Sequence, residues 1–148
     1  MGFWNVEGHM TAKKKELLEF IRARGLGVVS TTSATGAPEA ALVNIAVTED
    51  LELIFYALQS TRKCANLRRD PRIAVVIGWD DEKTLQYEGT ADEPQNEDLA
   101  RVKKIYGASR PDAQFQMAWP GVTYFRVRPS WIRLSNYGSP WSVEESVF

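Results

Sequence analysis

Apolar residues first recur at helical spacing: Leu17, Leu18 and Ile21 stand among charged residues between Thr11 and Arg24, and Gly25 follows where helices commonly stop. The period then shortens to two. "LGVVSTT" reads as a strand, "SATGAP" as a turn, and "EAALVNIAV" as a second strand running back beside the first, closed by Thr48-Glu49-Asp50. "LELIFYAL" predicts a third strand with Leu53, Phe55 and Ala57 on one face and Ile54, Tyr56 and Leu58 on the other, both apolar enough for burial.

A short helix is expected from Thr61 to Arg69, ahead of Pro71. "RIAVVIGW" and "KTLQYEGTADEP", joined by Asp80-Asp81-Glu82, form a hairpin. Asn96 is placed to cap a third helix in which Leu99, Val102, Ile105 and Tyr106 keep helical spacing up to Gly107. "VTYFRVRPSWIRLSNYG" alternates bulky and basic residues, and Pro129 either splits it into two strands or marks a bulge. The tail from residue 138 to 148 carries Trp141 and Phe148, which fit docking on the body of the fold or on a second subunit. About six strands with few crossover helices predict a mainly β, α+β architecture: an antiparallel barrel flanked by helices, not a doubly wound parallel sheet.

A length of 148 residues sets the expectation of a single domain over residues 1–148, with residues 1–10 as a mobile end. Eighteen basic and nineteen acidic residues leave a formal charge of -1, so no global field recruits nucleic acid or an anionic membrane, and any anion site must be local. Cys64 is the only cysteine and His9 the only histidine, which excludes an internal disulfide, a Cys/His metal cluster and a histidine-based nucleophile system inside the fold. Catalysis would then borrow a cofactor. Neither a signal-length apolar run at the start nor a spanning stretch elsewhere is present, so a cytoplasmic protein is expected. His9, next to Met10, is given no chemical role.

One polar, basic segment interrupts the strands: Gln59-Ser60-Thr61-Arg62-Lys63. Thr61 could cap a helix whose solvated face holds Arg62 and Lys63. Alternatively, hydroxyls, two cations and the main-chain N–H groups of a helix start converge on a phosphate.

The phrases "ALVNIA", "LIFYALQSTRKCANLRRDPRIAVVIGW" and "LQYEGTAD" resemble the FMN-binding split-barrel family typified by pyridoxamine 5'-phosphate oxidase, over roughly Leu26 to Asn136. The most specific part is the order Phe55-Tyr56, Thr61-Arg62-Lys63, Asn66-Leu67 and Asp70-Pro71-Arg72. The resemblance implies a six-stranded split barrel and a homodimer with FMN at the subunit interface. It implies that Arg62 and Lys63, with Thr61 and Ser60, clamp the ribityl phosphate, that Ala41, Leu42, Val43, Asn44, Tyr56 and Ala57 line the flavin, and that Thr84 and Gln86 reach the ring from the partner subunit. "YGASRP" resembles the oxidase's substrate-phosphate piece, which would make Tyr106 and Arg110 substrate residues. A flavin also accounts for the missing histidine, because the ring itself carries the electrons.

The chain departs from the oxidases at three places. Ala46 stands where they have a lysine, Ala41 where they have an arginine, and "WIRLSNYGSPW" lacks their Arg-x-His. The resemblance therefore implies a flavin oxidoreductase acting on an unidentified small molecule, and a poor pyridoxamine phosphate oxidase. Its alternatives are a deazaflavin-dependent reductase and a flavin-binding stress-response module without turnover.

Overall fold

The computed structural model describes residues 12–148. The expected mobile end 1–10, with His9, lies outside them. Helix α1, Ala12–Arg24, buries Leu17, Leu18, Phe20 and Ile21 and ends at Gly25, whose φ of +64° suits glycine and whose N–H donates to the Ile21 carbonyl at 3.0 Å. Strands β1 (Leu26–Thr32) and β2 (Pro38–Asn44) form the expected antiparallel pair, in register from Leu26 with Asn44 to Thr32 with Pro38.

The run read as a second strand does not continue intact. The Ile45 N–H donates to the Gly25 carbonyl at 3.0 Å, and this turns the chain, so that Ala46–Val47 becomes a separate strand, β3, paired with β4 (Leu53–Leu58). Helix α2 is Arg62–Arg69, and strands β5 (Arg72–Ile77) and β6 (Lys83–Asp92) make the expected hairpin. Helix α3, Asn96–Ser109, begins at the expected cap residue itself, which moves the cap position one residue earlier, to Gln95, and is followed by a 3-10 turn (Pro111–Ala113) and the short α4 (Gln114–Met117).

Strand β7 runs unbroken from Val122 to Asn136 through Pro129. Glu88 pairs with Trp131 and Gly89 with Pro129, so Ser130 is the extra residue of a bulge. Only glycine fits at 89, because a Cβ there would collide with the Arg128 carbonyl. The tail docks on the chain itself, as β8 (Ser142–Val147) against the second half of β7.

Eight strands result among the described residues, in the order β2-β1-β5-β6-β7-β4-β3 with β8 on β7. The expected count of six missed the break at Ile45 and the strand in the tail. The two ends of the order, β2 and β3, are joined through Ile45, so the sheet curls back on itself as a split barrel. Its interior holds Val29, Phe55, Val75, Leu85, Tyr87, Phe125 and Ile132, closed at one side by α1. A second cluster, Ile54, Val102, Tyr106 and Tyr124, packs α3 on the outside. Leu58, expected to be buried, lies past the barrel rim and is 38% exposed. No helix among the described residues is long and apolar enough to cross a membrane.

Candidate functional site

Helix α2 is fixed by what it buries. Cys64 and Leu67 enter the barrel core, and Asn66, only 4% exposed, donates to the Thr31 hydroxyl (3.0 Å) and to Glu39 (2.8 Å). Thr61 occupies the cap position, but its hydroxyl donates back to the Leu58 carbonyl at 2.7 Å and makes no capping hydrogen bond. The first N–H groups of α2 therefore have no side-chain acceptor in the cap, and no acidic residue stands in the first turn. Such a helix start carries positive potential and open donors.

Two cavities meet there. One, of about 380 Å³, lies between β2 and the start of α2 and is bordered by Glu39, Ala41, Ser60, Thr61, Arg62 and Lys63. The other, of about 260 Å³, is bordered by Leu42, Val43, Asn44, Tyr56, Ala57 and again Thr61 and Lys63, with Tyr106 and Trp119 at its far wall. Lys63 and Thr61 belong to both, so the two form one groove. Strand β2 ends the hydrogen-bonded order of the sheet, and one side of its main chain has no strand partner. That open edge supplies N–H and C=O groups along the groove.

The two cations are not equivalent. Arg62 is largely exposed and its guanidinium lies 2.7 Å from the Glu39 carboxylate, whereas Lys63 is half-buried and makes no ion pair among the described residues. Along β2, Ala41 packs inward, Val43 is buried, and Leu42 is 60% exposed.

Tyr56 stacks edge-on against Tyr106 with ring centroids 5.5 Å apart, and Tyr124 completes a triad of tyrosines. The Tyr106 and Tyr124 hydroxyls are buried without a hydrogen-bond partner among the described residues. Burial, with Tyr56 nearby, raises the Tyr106 phenol above its ordinary value despite Arg110, so it stays protonated.

The other residues singled out in the sequence lie elsewhere. Arg110 turns away from the groove: it pairs with Asp112 at 3.2 Å, lies over Gly25, and borders a separate cavity with Arg22 and Ala46. Tyr106 and Arg110 thus face different cavities. Thr84 and Gln86 stand on β6, separated from β2 by the two strands β1 and β5, and outside this groove. Gln86 pairs with Val76, which pairs with Val28, which pairs with Leu42, so these four share the outer face of the sheet.

Sequence reasoning missed Glu39 and the Trp119 wall. Glu39 reaches α2 across more than twenty residues, with no local pattern to mark it. Trp119 carried a weak signal, an aromatic beside Pro120 in a loop.

A curled antiparallel sheet closed by α1 and packed outside by α3 is the architecture of a split barrel. The family model for pyridoxamine 5'-phosphate oxidase matches residues 14–136, and the chain belongs to that family. No curated protein matches it. Among solved structures it is similar to a heme binding protein from Mycobacterium smegmatis (16% identity, TM-score 0.80), covering 94% of this chain but 59% of that one. It is also similar to General Stress Protein 26 from Bacillus anthracis (20% identity, TM-score 0.71, 92% and 98% of the two chains). A heme storage protein from Vibrio cholerae is a third (15% identity, TM-score 0.68, 90% and 92%). At these identities the likeness is one of fold.

Proposed function

We propose that the chain is an FMN-binding flavoprotein, a homodimer, and an oxidoreductase acting on a small molecule. The observation that carries this reading is the groove shared by Thr61 and Lys63. It offers a half-buried cation, hydroxyls and uncapped helix N–H groups at one end, and an open strand edge walled by Tyr56 and Trp119 along the rest. The phosphate is held by Lys63, Arg62, Thr61 and Ser60, where charge-assisted hydrogen bonds contribute about 1.5–3 kcal/mol each. The ring lies along Ala41 to Asn44, against Tyr56 and Ala57. Thr84 and Gln86 come from a second copy, because they share an outer face with the exposed Leu42 and Val76. A bound flavin supplies the hydride and electron chemistry; the chain's own residues position it and exclude water.

The names of two structural neighbours favour a second ligand, heme. Heme iron takes an axial side chain such as His, Cys, Met or Tyr. The described residues include no histidine, and Cys64 is buried with its thiol on the Leu58 carbonyl, which leaves the groove the phenols of Tyr56 and Tyr106. This donor set suits a phosphate ester better than a porphyrin iron.

Pyridoxamine phosphate is not the substrate in this reading. Ala46 is buried where the oxidases have lysine, and Arg110 faces away from Tyr106. Two lost charged contacts reduce efficiency by roughly two to four orders of magnitude.

The test is a titration with FMN and, separately, with hemin, followed by visible spectroscopy. Saturable flavin binding that a nicotinamide can reduce supports the proposal; a Soret band with no flavin binding overturns it. Pyridoxal phosphate formation near one per second, an ordinary turnover, would restore the oxidase itself.

A further inference from the structure

We infer that Glu39 is a built-in counter-anion in the groove, holding Arg62 and making the site selective for a phosphate monoester over a carboxylate or an uncharged ligand. This rests on the groove being the phosphate end of the flavin site. The Glu39 side chain is only 20% exposed, while that of Arg62 is 84% exposed. One carboxylate oxygen accepts from Asn66 at 2.8 Å, and Asn66 is itself locked in the core by the buried Thr31 hydroxyl at 3.0 Å. The other oxygen holds Arg62 at 2.7 Å. The carboxylate is anchored from behind, so the arginine is the partner that moves.

Any ligand that recruits Arg62 must draw it from Glu39. A ligand carboxylate exchanges one single charge for another and leaves Glu39 with no cation beside it. An uncharged ligand leaves the pair in place. A phosphate monoester carries about −1.5 to −2 charges at neutral pH and three acceptor oxygens. It can engage Arg62, Lys63 and the first N–H groups of α2 at once. Glu39 borders the same cavity as Ser60, Thr61 and Lys63, so its charge acts directly on whatever anion enters. An ordinary surface ion pair tying β2 to α2 would have no bearing on ligand choice, which separates the two readings experimentally.

The experiment follows FMN by quenching of its fluorescence, with riboflavin as the phosphate-free comparison and inorganic phosphate and acetate as competitors. In the unaltered chain FMN binds more tightly than riboflavin, and phosphate displaces FMN where the same concentration of acetate does not. Glu39→Gln preserves size and an acceptor for Asn66; it tightens FMN by about tenfold, and acetate now competes. Most of that gain disappears when Arg62→Ala is also present. Equal competition by acetate and phosphate in the unaltered chain overturns the inference without needing any variant. FMN affinity unchanged or weakened in Glu39→Gln, or a gain that persists in full without Arg62, does so too. Absence of flavin binding by the unaltered chain defeats the flavin reading and this one together; the other outcomes leave the flavin reading standing.

Discussion

The Tyr87 hydroxyl lies 2.8 Å from the carbonyl of Leu51 and 3.0 Å from that of Val127, joining a turn to a strand inside the barrel. Leu51 has φ of 62°, a left-handed conformation unusual for a branched, non-glycine residue. Its fully buried side chain and the phenol together hold it there. Tyr87→Phe leaves these carbonyls without their donor and is expected to cost about 1–3 kcal/mol. A shift of the urea midpoint in that range, with unchanged slope, is the check; a midpoint identical to the parent contradicts the role.

Acid should weaken the fold. Burial alone raises the Asp92 carboxyl, but hydrogen bonds and charge from the nearly buried Arg126, with Arg128 beside it, outweigh burial and hold it below its ordinary range. The Arg68 hydrogen bond lowers Glu93, against some burial, and the Arg72 hydrogen bond lowers the half-buried Asp70 to about 2. Folded values below unfolded ones mean that the folded state binds fewer protons. The stabilisation is full above about pH 5 and is lost as pH falls toward 2. Asp92→Asn should flatten this dependence and, by leaving Arg126 without its bidentate partner, with Asp98 at 3.7 Å and the Glu52 charge remaining, cost about 1–3 kcal/mol at neutral pH. Urea midpoints at pH 6 and pH 3 test both; an equal drop in parent and variant would contradict the assignment to Asp92.

The outer face of β2, β1, β5 and β6 should be a subunit interface. Leu42 and Val76 are exposed on it, in register with Val28 between them and Gln86 beyond. Val76→Glu puts a charge at its centre, where an isologous contact meets itself. Light scattering at micromolar concentration should find a dimer for the parent and a monomer with weakened FMN binding for the variant. A parent that binds FMN as a monomer would defeat the composite site.

Much of this architecture was legible because it is locally encoded. The period-two runs, the β5–β6 hairpin and the amphipathic α1 each bury the face that their spacing marks. The break at Ile45 was not, because it depends on a hydrogen bond to Gly25 twenty residues away, and nothing within "EAALVNIAV" signals it. Pro129 left two readings open, and the bulge won because Gly89, on the facing strand, has no side chain to obstruct Arg128. In the site, the basic phrase at α2 was visible as chemistry. Its inequality was not: Glu39 is what separates a paired Arg62 from a Lys63 that makes no ion pair among the described residues, and that contact exists only after folding.

The most direct test of the flavin site is calorimetric titration of FMN into the parent chain and into the Arg62→Ala, Lys63→Ala double variant. Both side chains lie at the surface end of α2, so the unfolding midpoint should stay close to the parent's. The account predicts FMN affinity at least tenfold weaker in the variant, about 1.4 kcal/mol. Equal affinity in the two proteins would contradict it.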